Sequence, residues 1–335
     1  MTHLPPLPLA LTMGDPAGCG PAITAAAWHQ LRAEPGLAFY VIGAPALYAG
    51  MAPVREISAP SDALGVFAEA LPVLPLADVP AVQPGQPDAS AAPAIIRAIA
   101  LATSHALAHQ AGGLVTNPIN KALLYGTGFA YPGHTEYVAH LCAAPGAPAP
   151  RPVMMLVGGG LRVALATIHI RLADVPGALD TAALVALGEI VAAALTRDFG
   201  LATPRIAFSG LNPHAGENGT IGDEEVRIIN PAAHLLRQKG IDMSDARPGD
   251  TVFAEALAGA YDAVIAMTHD QGLIPVKTLD LWGGVNVTLG LPVVRTSPDH
   301  GTAYDAAAAG TARPDSLIAA IRLAAAMADA RRATP

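Results

Sequence analysis

Along this chain, short aliphatic and β-branched runs alternate with longer Ala/Leu-rich stretches, a rhythm of strand followed by helix. Leu7 to Met13 reads as a strand and Pro21 to Ala33 as the helix after it. Leu37 to Ile42 is a second strand, cut by Gly43-Ala44-Pro45 from a separate short helix. Asp88 to Gln110 predicts a longer helix and Gly113 to Thr116 the strand that follows it. This βαβ order implies an α/β protein with a mostly parallel sheet covered on both faces. The middle changes character: Val153 to Val157 and Leu161 to Ile168 flank Gly158-Gly159-Gly160, the pattern of a hairpin, so the second half should carry mixed strands. Thr181 to Arg197, Asp223 to Lys239 and Ser316 to Arg331 predict further helices. Neither an internal repeat nor a coiled-coil heptad is visible, and the Pro/Ala-rich segments Pro72 to Pro93 and Ala143 to Pro152 read as linkers or surface loops.

Composition narrows the class of partner. A chain of 335 residues fits two domains or lobes, and with 52% hydrophobic and 14% charged residues it can supply a large core and a subunit interface. The formal net charge is -8 and no Lys/Arg-rich run occurs, which argues against nucleic acid or an anionic membrane as partner and for small molecules and other copies of the chain. Cys19 and Cys142 lack CxxC spacing, so neither a disulfide framework nor a thiolate metal site is indicated. The segment Met1 to Pro6 has no basic n-region and is broken by prolines, and the uncharged run from Pro35 to Val54 is interrupted at Gly43-Ala44-Pro45. The expectation is a soluble, cytoplasmic protein.

Candidate chemistry is concentrated toward the C-terminal end. Met267-Thr268-His269-Asp270-Gln271-Gly272 runs into Ile274-Pro275-Val276-Lys277, then Val285 to Pro292, then Arg295 to Thr302, placing His, Asp, Lys, Asn and Arg between short β-branched runs. Upstream, Gly14-Asp15-Pro16-Ala17-Gly18-Cys19-Gly20-Pro21 follows the first strand. Its spacing matches neither GxGxxG nor the P-loop, so it reads as a strand-to-helix turn. His169, His214 and His269 each follow an apolar run, where a parallel sheet delivers side chains to one edge. Three imidazoles with an open fourth position suit a catalytic divalent metal; separate surface or hydrogen-bonded histidines are the other reading. Lys277, Asn286 and Arg295, with His134-Thr135 at a helix start, suit a phosphate or carboxylate, unless Lys277 and Arg295 pair with Asp280 and Asp299 on a solvated edge.

In their order these segments resemble the 4-hydroxythreonine-4-phosphate dehydrogenase family of pyridoxal phosphate biosynthesis. The resemblance runs over Leu11 to Gly18, Val115-Thr116-Asn117-Pro118-Ile119-Asn120-Lys121, Gly133-His134-Thr135-Glu136, Met155-Leu156-Val157, Gly210 to Glu217, and His269-Asp270-Gln271-Gly272 through His300-Gly301-Thr302. It implies a two-lobed α/β/α subunit like isocitrate and isopropylmalate dehydrogenases. Residues 1–132 with 298–335 would form the first lobe and 133–297 the second, which carries metal and dimer contacts, and the active site would lie in the cleft. It also implies that His169, His214 and His269 are ligands of a divalent metal (zinc, magnesium or cobalt), one of them from the partner of a homodimer. His134, Thr135, Lys277, Asn286 and Arg295 would be substrate-binding, Asp250 and Lys277 catalytic, and NAD or NADP the oxidant, bound without a Rossmann fingerprint. The implied reaction oxidises 4-phosphohydroxy-L-threonine, with one Lewis acid serving both oxidation and decarboxylation.

Two positions depart from the family's pattern: Ala22, where Glu is common, and Thr268, where Tyr is common. They leave room for a paralogue acting on a related hydroxy acid such as 4-phospho-D-threonate, 4-phospho-D-erythronate or a non-phosphorylated diol acid. A metal-dependent hydrolase or phosphatase would use the same histidines and anion pocket without a dinucleotide. A two-lobed binding protein would tolerate loss of the histidine set.

Overall fold

Residues 6–333 are described by a computed structural model; part of the N-terminal segment read as lacking a signal sequence, residues 1–5, lies outside them. Strands in chain order are β1 Leu9–Thr12, β2 Phe39–Gly43, β3 Val54–Glu56, β4 Leu71–Pro75, β5 Leu114–Thr116, β6 Val153–Gly158, β7 Leu161–Leu165, β8 Ile206–Phe208, β9 Ala263–Ala266, β10 Val285–Leu289 and β11 Arg295–Pro298. They fall into two compact units, one of residues up to 152 with 291–332, the other of residues 153–290. The expected division was at 132/133 and 297/298. The difference has a packing cause: helix His134–Leu141 packs on helix Ala92–Leu107, and β11 pairs with β5, so both segments belong to the first unit.

The first unit orders its strands β3-β4-β2-β1-β5-β11, every neighbouring pair parallel. Leu11 stands opposite Val41 on one side and Val115 on the other, and β1 and β2 are buried along their whole length. That is why the strands read as unbroken apolar runs: a parallel sheet hides both faces. The stretch Pro72 to Pro93 is not simply a linker, because its start is β4, with Leu71 and Val73 buried. The long helix begins as a 3-10 turn, Ala89–Ala91, where Asp88 accepts a hydrogen bond from the Ser90 amide at 2.8 Å, and continues as Ala92–Leu107. Ala89–Leu107 has the length and hydropathy of a membrane span, and 56% of that window is buried, among it Ile95, Ala98 and Ile99.

The second unit orders β10-β6-β7-β9-β8 and is mixed, as the hairpin predicts. β6 is antiparallel to both β10 and β7, whereas β9 is parallel to β7 and β8. Gly159 and Gly160 close the β6–β7 turn at φ 58° and 85°, values a side chain would strain. β7 stops at Leu165 rather than running to Ile168; beyond it the Ala166 amide donates to the Ala266 carbonyl at 2.8 Å and the Thr167 hydroxyl to the Met267 carbonyl at 2.7 Å, so the chain leaves the sheet still tied to the end of β9. Leu156, Val163, Leu165, Val264, Leu273 and Val276 form part of its core, each full burial worth about 1.5–3 kcal/mol.

Candidate active site

In the second unit β7, β9 and β8 are parallel neighbours, so their carboxyl ends share one edge, and His169, His269 and His214 lie in the segments that follow them. The rings of His169 and His269 meet there, centroids 5.5 Å apart and planes inclined at 45°. His269 opens helix His269–Leu279, which Thr268 caps by accepting from the Gln271 amide at 3.3 Å. The departure at Thr268 thus provides an N-cap that an aromatic ring would not. Within that helix Leu273 and Val276 are buried, and Gly272 allows close approach to β7: a Cβ there would stand 2.5 Å from Leu165 Cδ2. His269 Nδ1 lies 2.8 Å from Asp270 Oδ1, a contact that orients the ring and leaves Nε2 outside that hydrogen bond.

Lys277 sits two turns further along this helix, not in the strand-loop region expected from the sequence. It lines a cavity of about 460 Å³ with His269, Asp270, Leu273, Ile274 and Thr278. Asp280, the alternative partner, accepts from the Gly283 amide at 2.7 Å. Gln271 ties the edge together. Its Oε1 accepts from the Met267 amide at 2.9 Å, its Nε2 donates to the Gly210 carbonyl at 2.7 Å, and the same nitrogen lies against Gly249, the residue before Asp250. Asp250 itself is exposed.

His214 is carried by an unusual turn. His214, Ala215, Gly216, Glu217 and Asn218 all have left-handed backbones, φ between 43° and 76°. Four of the five carry side chains, for which this conformation costs about 1–2 kcal/mol per residue. The offsetting contacts come from Glu225, only 1% exposed. Its Oε1 accepts from the Leu211 and Asn212 amides at 2.8 and 2.7 Å, and its Oε2 from Asn212 Nδ2 at 3.0 Å. Asn212 Nδ2 also donates to Glu224 at 2.7 Å. Glu225 begins a π-helical turn, Glu225–Ile229, that runs without a break into helix Asn230–Gln238, so the helix expected from Asp223 to Lys239 is present with a π-bulge in its first turns.

The buried cationic cluster of the first unit is built differently. Arg295 lies on β11, 3% exposed, and its Nη2 donates to Thr116 Oγ1 on the neighbouring β5 at 2.7 Å. The solvated-edge reading therefore fails for Arg295. Burial pushes its guanidinium down to about 10, still cationic at neutral pH, with Glu136 acting in the opposite sense. His134 begins helix His134–Leu141, and burial together with the Arg295 and Lys121 charges holds its imidazole well below the usual histidine range. Its Nε2 is buried with no hydrogen-bond partner, as is Asn286 Oδ1 on β10 of the second unit. Orphaned polar atoms of this kind are what a bound ligand satisfies. Thr135 is the next residue of the helix and half-buried.

The fold therefore pairs two of the three predicted histidines and buries Arg295 beside His134. Among the described residues no group of three or more His, Cys, Asp or Glu side chains is gathered as a metal site. The donor chemistry nevertheless fits a divalent ion: adjacent imidazoles, one oriented by a carboxylate, with a third imidazole on a neighbouring loop. Sequence reasoning missed Lys121, Thr116, Gln271 and Glu225. All but Glu225 lie inside motifs already singled out; Glu225 gave no signal, because one carboxylate of the acidic helix start Asp223-Glu224-Glu225 reads as solvated. The Gly14 to Gly20 stretch is the strand-to-helix turn expected, with Asp15 accepting from the Ala17 amide at 3.0 Å and from the Tyr304 hydroxyl at 2.5 Å. Cys19, at its end, is buried, and its thiol is pushed up to about 11.

Comparison with known proteins extends this picture over the whole chain. The family profile described as "Pyridoxal phosphate biosynthetic protein PdxA" matches residues 39–324. A 4-hydroxythreonine-4-phosphate dehydrogenase of Caulobacter vibrioides is 53% identical, over 97% of this chain and 98% of that protein. One of Xanthobacter autotrophicus is 51% identical, over 97% and 95%. A crystal structure of 4-hydroxythreonine-4-phosphate dehydrogenase from Klebsiella pneumoniae superposes with a TM-score of 0.85 at 38% identity, covering 96% of this chain and 99% of that one. The chain belongs to the PdxA family of pyridoxal phosphate biosynthetic proteins.

Proposed function

We propose that this chain is an NAD(P)-dependent, divalent-metal-dependent 4-hydroxythreonine-4-phosphate dehydrogenase of the cytoplasm. Its substrate is 4-phosphohydroxy-L-threonine, whose 3-hydroxyl carbon gives up a hydride and whose hydroxyl gives up a proton. The product, 2-amino-3-oxo-4-phosphooxybutanoate, then breaks its bond to the carboxylate, releasing carbon dioxide, and the resulting enolate takes up a proton at carbon to give 3-amino-2-oxopropyl phosphate. The observation that carries this reading is the His169–His269 pair at the carboxyl edge of parallel strands, oriented by Asp270, in a chain half identical to enzymes of that name.

His169, His214 and His269 would hold the metal, which when bound supplies a Lewis acid that lowers the pKa of the substrate hydroxyl. The dinucleotide supplies the hydride acceptor. His134, Thr135, Asn286, Lys277 and Arg295 bind the phosphate and carboxylate. Arg295 does so as a fixed cation already braced by Thr116, and neutral His134 and Asn286 through the buried atoms Nε2 and Oδ1. Lys277 and Asp250 exchange protons with the reacting substrate. The enzyme works as a homodimer in which one of the three histidines comes from the second copy. Exposed Ile170 and Leu172 beside His169, and Ile274 beside His269, support such coverage of the edge.

The test is dinucleotide reduction by the metal-reconstituted protein with 4-phosphohydroxy-L-threonine, 4-phospho-D-threonate and 4-phospho-D-erythronate, with and without chelator. Chelator-sensitive reduction fastest with the first is the expected result. Faster turnover of either of the others would reassign the substrate, and phosphate release without dinucleotide would make the chain a hydrolase.

A further inference from the structure

The left-handed turn that carries His214 asks for more support than its own residues give, since four of its five left-handed positions carry side chains. It contains one glycine among five left-handed residues, and at its ends the backbone bonds back on itself, Ala215 N to Asn212 O at 3.1 Å, Thr220 N to Glu217 O at 3.3 Å and Ile221 N to Gly216 O at 3.1 Å. What fixes it is a carboxylate from outside the turn. Glu225 is buried, and its two oxygens take three donors from Leu211 and Asn212, the residues that lead into the turn. Contact continues inside the turn, where Gly216 passes so close that a Cβ would stand 2.6 Å from Glu225 Oε2. The backbone that presents this carboxylate is itself irregular, a π-helical turn of five residues that opens at Glu225. Two departures from regular backbone thus face one another across a single side chain.

We propose that Glu225 is the positioning residue of the His214 loop. It holds five left-handed residues in the conformation that presents His214 beyond the carboxyl end of β8, without itself touching metal or substrate. A structural carboxylate could brace any loop; this one braces the residues before an imidazole that the edge lacks for a three-histidine set. Oriented ligands of this kind lose affinity when their support is removed, typically by about 10–100-fold.

The inference rests on the metal-dependent reading above, and the test separates the two. Cobalt(II) is titrated into the dimeric wild-type protein and into Glu225→Ala and Glu225→Gln, with a chromophoric chelator as competitor, recording the visible cobalt bands and the circular dichroism of each protein. The expected result is a cobalt dissociation constant raised about 10–100-fold in Glu225→Ala and less in the isosteric Glu225→Gln, with altered visible bands and unchanged helix content. Hydrogen exchange should show the Leu211 and Asn212 amides, protected in the wild type, exposed in Glu225→Ala and largely protected in Glu225→Gln, whose amide oxygen still accepts from both. A folded variant that binds cobalt with wild-type affinity and spectrum overturns the proposal. Should Glu225→Ala fail to fold, Glu225→Gln decides in the same way. If His214→Ala binds cobalt as tightly as the wild type, the metal reading itself falls, and the role of Glu225 falls with it.

Discussion

The histidine edge of the second unit and the buried Arg295 of the first reach precise placement by opposite means. Arg295 is placed by strand register: it sits on β11 beside β5, inside a parallel sheet, with Thr116 as its brace. His169 and His214 are exposed, His269 is half-buried, and none lies on a strand. Their positions depend on side chains that tie loops together, Gln271 for the edge as a whole and Glu225 for the His214 turn. A site fixed by the core should couple binding to stability. One fixed by ties should let activity disappear while the fold persists.

The sharpest way to break this contrast is His214→Ala. The side chain is exposed and packs no core, so the melting temperature should hold within a degree or two. Turnover should fall by roughly three orders of magnitude or more, the several kcal/mol that a Lewis acid contributes. Steady-state kinetics beside a thermal melt decides it, and retained turnover in a metal-stripped His214→Ala protein would sink the mechanism. Next in size is Arg295→Met. Removing the cation should raise the substrate KM by about 100-fold and also move the melting temperature, upward by about 2–4 °C, because a buried guanidinium is expensive to desolvate. A clear loss of stability would mean that Arg295 serves the fold rather than the ligand. Smaller again is Thr116→Val, which keeps the shape and loses one charge-assisted hydrogen bond. It should raise KM about 5- to 10-fold at unchanged kcat, roughly 1–1.5 kcal/mol.

How far each region was legible in the sequence follows the same division. The parallel strands of the first unit showed as unbroken apolar runs, since burial on both faces leaves its mark residue by residue. Arg295 could be flagged as a cation in an apolar strand, yet its brace Thr116 lies 179 positions away, and only the β5–β11 pairing brings them together. In the second unit the histidines were visible because each follows an apolar run. Their supports were not. Glu225 looks like any carboxylate at a helix start, and nothing local announces that the preceding turn is left-handed, with only one glycine among five such residues. The unit boundary failed for a related reason: helix His134–Leu141 joins the first unit through packing on helix Ala92–Leu107, a contact that no pattern along the chain encodes.

The smallest predicted effect probes the first region alone, through pH. Burial and the Arg295 and Lys121 charges depress His134 in the folded protein, and burial depresses His105, which is hydrogen-bonded to Tyr40 at 2.7 Å. Both histidines have an ordinary value near 6.5 in the unfolded chain. Between the depressed value and 6.5 the unfolded state binds more protons than the folded one, so stability increases with pH across that window and is lost as pH falls below about 6.5. Each such group contributes at most about 1.4 kcal/mol per pH unit to the slope. Melting temperatures taken from pH 7.5 down to 5 should therefore decline, and the decline should be shallower in His134→Asn, which cannot take up the proton in either state. An identical slope in that variant would show that His134 titrates as an ordinary surface histidine. The first region would then be no more secluded from water than the histidine edge it is contrasted with.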